Sequence, residues 1–178
     1  MVTHLVLPRL GKHGRASDGA DLLLSILLRF PEVASITFKP SGNILEFIFL
    51  IAGVSQEENP EQVKVFLINS INAYHQLEGW LPAHVKIDIN FHEQAAFVTI
   101  ARDAGTLSQG ELSLIIALLK DRYGASLVVD GNTMAPEGED IFAQDEAIDD
   151  MLEDLKSQFP CKGLVGFRED GRVFVYNK

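Results

Sequence analysis

The sequence predicts an α+β domain. The expected architecture is a two-layer sandwich whose mostly antiparallel sheet of four or five strands comes from two tandem ββα units. An N-terminal helix and a C-terminal αββ unit add to it. Three observations carry this reading. Residues 34–79 and 84–124 each read strand, tight turn, strand, helix. The helix of each half starts at a capping residue and ends at a glycine. A helix and a hairpin pattern then close the chain. The likeness between the halves lies in the pattern of elements and caps, with little residue identity.

The elements follow in order. Leu5-Val6-Leu7 reads as a short edge strand, and Gly11-Lys12-His13-Gly14-Arg15 as a mobile basic loop. Ser17 or Asp18 caps a helix that runs to about Phe30, where Pro31 stops it. Its apolar residues cover most of the circumference, so it is expected to be buried on more than one side. Residues 34–38 and 44–54 are strands joined by Pro40-Ser41-Gly42-Asn43. The second of these is apolar on both faces except at Glu46, which suits a central covered strand or one whose second face is an oligomer interface. Asn59 caps a helix with Pro60 at its first position, and Gly79 ends it.

In the second half, Val85, Ile87, Ile89 and Phe91 alternate with Lys86, Asp88, Asn90 and His92. The expected register sets Phe91 opposite Val98, Ile89 opposite Ile100 and Lys86 opposite Asp103. Ser108-Gln-Gly-Glu111 is a capping box for a helix closed by Gly124, and residues 126–129 read as a further short strand. Trp80, beside Leu81 and Pro82, reads as a core plug. The expected division is a main domain over 1–130, an acidic linker over 131–144 and an αββ unit over 145–178. With too small a core to fold alone, that unit docks on the main domain or on a second subunit. The order of elements is similar to profilin-like and duplicated ββα folds alike, a likeness that carries no function.

Composition narrows the class of function. The chain has 178 residues, a net charge of −10 and 47% hydrophobic residues, which is ordinary for a globular core. A charge of that sign opposes nucleic acid and anionic membrane as partners. Cys161 is the single cysteine, so no internal disulfide or cysteine-rich metal site is expected. The N-terminus lacks a long apolar signal core, and residues 44–54 are too short to span a bilayer as a helix. A cytoplasmic location is the expectation.

Two groups of residues are candidates for chemistry or recognition. Residues 137–154 hold nine carboxylates and no lysine or arginine. Within them Asp145, Asp149 and Glu153 recur at i, i+4 and i+8, as do Glu146, Asp150 and Asp154. Like charges at that spacing destabilise a helix, so a docking face for a basic protein is weighed against a solvated face or a weak cation site. Asp149-Asp150-Met-Leu-Glu153 is similar to the Mg²⁺–diphosphate motif of prenyl synthases. Those enzymes are large and all-helical, and nothing else in this chain fits them. The second group is Asp88, Asn90, His92, Thr99 and Asp103, which share one face of the second hairpin in the expected register. Carboxylate, imidazole and hydroxyl on one rigid surface can bind a ligand or move a proton, although a water-facing sheet has the same look. The five histidines show no HxH, HxxxH or HExxH spacing, so surface or capping roles are expected for them and no metal or cofactor. Gly11–Arg15 lacks the GxxxxGK[ST] spacing of a phosphate loop. Together these features favour a non-enzymatic interaction or regulatory protein that forms a homo-oligomer. The alternative is a small-molecule binder or enzyme built on Asp88, His92 and Thr99, with or without a divalent cation.

Overall fold

The computed structural model describes residues 17–54, 59–131, 139–157 and 162–178. The expected strand at 5–7, the basic loop at 11–15 and Cys161 lie outside them. The fold is α+β, with four α-helices and one antiparallel sheet of six strands among the described residues. The elements are α1 (Ser17–Arg29), β1 (Ser35–Lys39), β2 (Ile44–Ala52), α2 (Pro60–Glu78), β3 (Val85–His92), β4 (Ala95–Asp103), α3 (Gln109–Tyr123), α4 (Glu139–Ser157), β5 (Leu164–Glu169) and β6 (Arg172–Asn177). The strands lie in the order β3-β4-β2-β1-β5-β6. Six strands replace the expected four or five because the C-terminal hairpin pairs along β1, with Ser35 opposite Phe167 and Phe38 opposite Leu164.

Local chemistry explains the boundaries. The Asn59 side chain accepts a hydrogen bond from the Glu61 N–H at 3.1 Å and opens α2, and Gly79 closes it at a left-handed φ of 86°. Ser108 caps α3 by accepting from the Glu111 N–H at 3.2 Å. The β5–β6 turn places Asp170 and Gly171 both at positive φ, as a two-residue hairpin in a right-twisted sheet requires.

Two sequence expectations are corrected. In the β3–β4 hairpin Phe91 faces Ala96, Ile89 faces Val98 and Lys86 faces Ala101. This is two residues from the expected register. Both registers keep the apolar residues on one face, so patterning could not separate them. The turn decides: it is only Glu93-Gln94, with Glu93 at a left-handed φ of 55°, and His92 lies directly opposite Ala95. Lys86 then pairs with Asp88 on its own strand at 2.8 Å. The strand expected at 126–129 is a 3₁₀ turn, Gly124–Ser126, followed by a single bridge from Leu127 to Ile51. β1 already occupies the edge of β2 from Ile44 to Ile48, so only the last residues of β2 remain open to pairing.

Burial shows where the layers meet. Ile36, Phe38, Leu45, Phe47, Phe49, Ile51, Val98 and Ile100 point from the sheet into the core. Leu23 and Leu27 of α1, Val63 and Leu67 of α2, Ile115 and Leu119 of α3, and Ile148 and Leu152 of α4 meet them. The helices touch in the order α1–α4–α3–α2, and α1 stands over β5 and β6 while α2 stands over β3. No helix among the described residues is long and apolar enough to cross a membrane.

The α1 contact depends on Gly166. A Cβ there would stand 2.8 Å from Leu27 Cδ1 and 3.4 Å from Val175 Cγ2. Gly166→Val is expected to lower the unfolding free energy by about 1–3 kcal/mol through overpacking. Gly131→Ala, which meets nothing within 4 Å, is expected to change it little. Urea unfolding of the two variants checks this contrast.

Candidate functional site

Strand β4 places Ala96, Val98, Ile100 and Arg102 on its core face. The last of these is an arginine where an apolar residue belongs, and it is fully buried. Its Nε donates to Glu111 Oε1 at 2.5 Å and its Nη2 to Glu111 Oε2 at 2.9 Å. Nη2 also donates to Thr106 Oγ1 at 3.1 Å. Nη1 donates to the His84 carbonyl at 2.7 Å and to Asp103 Oδ1. These contacts occupy the planar fork of the guanidinium. His75 joins from α2, with Nε2 2.7 Å from Glu111 Oε2. Arg102 and Glu111 are 0% exposed and His75 is 1% exposed.

Four segments therefore meet at one buried ionic cluster: the end of α2, the start of β3, the end of β4 and the start of α3. The capping box is corrected in one respect. Ser108 caps as expected, but the Glu111 carboxylate turns inward to Arg102 and His75. Imidazole beside carboxylate is the equipment of proton transfer. Here it is sealed, and among the described residues His75 Nδ1 has no hydrogen-bonding partner. The cluster acts as a clasp.

Asp103 belongs to this clasp. Burial raises its carboxyl, but hydrogen bonds from Thr106 and the His84 N–H, with the charge of Arg102, outweigh that and hold it below its ordinary value. Asp88, Asn90, His92 and Thr99 lie on the sheet face away from the Arg102 side chain. Asp88 is paired across the strands with Thr99, while Asn90 and His92 are exposed. By strand alternation Asp103 shares the face of Thr99, but it stands at the end of β4, where Arg102 and Thr106 engage its carboxylate. A cavity of about 330 Å³ lies elsewhere, among the helices, between Arg29, Glu32, Ile116, Lys120 and Ile141. Among the described residues no group of three or more His, Cys, Asp or Glu side chains is arranged to hold a metal ion.

The sheet face away from the described helices mixes polar residues with two groups of large apolar side chains. Phe167 stacks on Phe174 at 5.4 Å between ring centroids and meets Tyr176 edge-on at 5.9 Å. Val165 adjoins this group on β5, and Ile48, Leu50 and Phe97 form a second group on β2 and β4, with Ser35 and Thr37 of β1 between the two. Phe97, Phe174 and Tyr176 are exposed, and Ile48, Leu50, Val165 and Phe167 are half-buried. The two-sided apolarity of β2 has its counterpart here. One side faces helices, and the other faces outward in the middle of the sheet.

The acidic helix divides its carboxylates between two tasks. Asp145 holds Arg29 of α1 at 2.7 Å and 3.3 Å. Asp149 accepts the Gln109 N–H at 2.8 Å and so caps α3 from outside. Glu146, Asp150, Glu153 and Asp154 are exposed. Trp80 is corrected from core plug to surface residue: it is 50% exposed, with Lys156 Nζ 5.9 Å from its ring centroid.

No family model, curated protein or solved structure matches the chain. Its sites are therefore read from geometry. The sequence reading missed the Arg102–Glu111–His75 cluster, although two signals pointed to it. His75 continues the buried stripe Val63, Leu67, Ile71 at helical spacing, and Arg102 continues the buried alternation of β4.

Glu111→Ala strands the Arg102 charge in the core and is expected to cost about 3–5 kcal/mol, read from chemical unfolding. The double variant Arg102→Met with Glu111→Leu is expected to recover part of that loss, because the two charges leave together and Asp103 keeps its hydrogen bonds from Thr106 and the His84 N–H. Asp103 also predicts an acid limb. Its folded pKa lies below an unfolded value of about 3.9, so its stabilisation is complete above that value and fades as pH falls through the folded one. Asp103→Asn should flatten the acid limb of stability below about pH 4. Urea midpoints that fall equally with acid in both proteins would count against this assignment.

Proposed function

We propose that this chain is a non-enzymatic interaction protein that acts as a homo-oligomer, with the open sheet face joining two copies. The observation that carries the reading is the set of apolar side chains Ile48, Leu50, Phe97, Val165, Phe167, Phe174 and Tyr176 on the sheet face that none of the described helices covers. Large apolar side chains gathered on one exposed sheet face mark a contact site.

Charge favours a second copy as the occupant. On that face Lys39 pairs with Glu46 at 2.5 Å and Lys86 with Asp88 at 2.8 Å, while Glu169 stands opposite Arg172. These charges balance, whereas the chain as a whole carries −10. Two copies meeting here bring together the part of the surface where their mutual repulsion is least. A two-fold contact would match each patch with itself. Asp88, Asn90, His92 and Thr99 stand toward the β3 edge of the same face and would form a polar rim to the contact.

Sedimentation tests the reading. The wild-type chain is expected to run as an oligomer. Phe167→Asp and Leu50→Asp should each weaken association about tenfold or more, equivalent to about 1.4 kcal/mol, with an unchanged circular-dichroism spectrum. A wild-type chain that stays monomeric at high concentration would sink the proposal.

A further inference from the structure

We infer that a second surface, formed by the outer stripe of α4 and the apolar end of α2, docks a basic amphipathic helix of a partner protein. This rests on reading the chain as an interaction protein, but it uses none of the sheet-face residues.

The surface combines an acidic stripe that starts at Phe142 with the exposed indole of Trp80, which Lys156 of α4 approaches. Phe142, Glu146, Asp150 and Glu153 recur at i, i+4, i+8 and i+11, which puts them on one stripe of α4. All four are exposed, Phe142 by 77%. Ile148, Leu152 and Leu155 hold the opposite side of the helix in the core. Asp145 and Asp149 are engaged with Arg29 and α3, so the stripe carries carboxylates that the contacts to α1 and α3 do not use. Near Trp80 in the chain, around the end of α2, Leu77 and Leu81 are exposed as well; Leu77, Trp80 and Leu81 are exposed by 88%, 50% and 65%.

Lys156 ties the two parts together and indicates the chemistry they accept. Its ammonium lies 5.9 Å from the Trp80 ring centroid and 2.6 Å from Glu153 Oε2. The chain thus holds a cation of its own between an indole face and a carboxylate. An incoming arginine offers the same cation–π contact and can bind a carboxylate with two parallel hydrogen bonds. From Phe142 to Glu153 the stripe runs about 16 Å, close to three helical turns. The fitting partner is a helix that sets lysine or arginine beside apolar anchors. Nucleic acid is disfavoured because its phosphates would face carboxylates.

Trp80 is the only tryptophan in the chain, so its fluorescence reports directly on this surface. The probe is a tryptophan-free amphipathic helix of leucine and lysine, titrated into the full chain. The control peptide carries glutamate in place of lysine. The expected result is a blue shift of Trp80 emission with the lysine peptide and none with the control. Leu77→Ser with Leu81→Ser should weaken binding about tenfold or more, as should Glu146→Lys with Glu153→Lys. These positions are exposed, so the fold tolerates the changes. Binding should persist in Phe167→Asp, which separates this surface from self-association. Unmoved emission, equal binding of the glutamate peptide, unchanged affinity in both double variants, or loss of binding in Phe167→Asp would each overturn the inference.

Discussion

Everything at one end of the molecule is organised by the need to pair a single buried guanidinium. Arg102 occupies a core position on β4, where an unpaired charge would be costly to desolvate. A guanidinium satisfies its fork of donors only if acceptors approach it from several directions. They come here from α3, from the backbone before β3, and from the loop that follows β4. α2 is recruited indirectly, through His75 on the far side of Glu111. The place where α2 ends and α3 begins is therefore set by polar geometry as well as by hydrophobic contact. Tyr74 reinforces it by meeting Ser108 at 3.1 Å, close against Gly110, where a Cβ would stand 2.7 Å from the Tyr74 hydroxyl oxygen. A purely apolar core could give similar stability while defining the helix positions less sharply.

The sheet carries the consequence to the rest of the fold. β4 pairs with β2 along its whole length, and β2 in turn pairs with β1, which receives the C-terminal hairpin. Four helices in one row cover one side of these six strands. The helix side of β2 is buried, while Ile44, Ile48 and Leu50 on its other side stay only half-buried in the middle of the sheet. A water-facing sheet normally alternates apolar and polar residues. The departure from that rule at β2, and its extension onto Phe97, Phe167 and Phe174, is the physical ground for treating this face as a contact surface.

Most of the secondary structure was legible because caps, turns and apolar periods agreed with one another. Asn59 and Gly79, Ser108 and Gly124, and Asp170-Gly171 all act where their chemistry placed them. The hairpin register was less legible, since a shift of two residues keeps every side chain on its own face and only the turn at Glu93-Gln94 chooses. The clasp was hidden for a different reason. His75, Arg102 and Glu111 are spread over two helices and a strand, and two of them had a local explanation of their own, His75 as a surface or capping histidine and Glu111 as a capping-box acid. Only their common burial shows that they answer one another. Trp80 misled in the opposite sense, because its neighbours Leu81 and Pro82 past the helix end suggested burial while the residue lies half-exposed at the surface.

The distribution of charge joins the two proposed surfaces. Carboxylates concentrated on α4 leave the remainder of the chain nearly neutral, and α4 lies in the helix layer with its exposed acids pointing away from the sheet. A helix diameter of about 10–12 Å separates those acids from the strands. That exceeds the Debye length of about 8 Å at physiological salt, so they repel weakly across the sheet face. Two copies can then meet through a balanced apolar face while each keeps its acidic side turned outward. The concentration of charge that opposes helix formation in α4 is tolerated because Asp145 and Asp149 are neutralised by Arg29 and the α3 N-terminus, and the buried stripe of Ile148, Leu152 and Leu155 anchors the helix. Stability of α4 is thus supplied from its inner side, which leaves the outer carboxylates to respond to whatever approaches from solution.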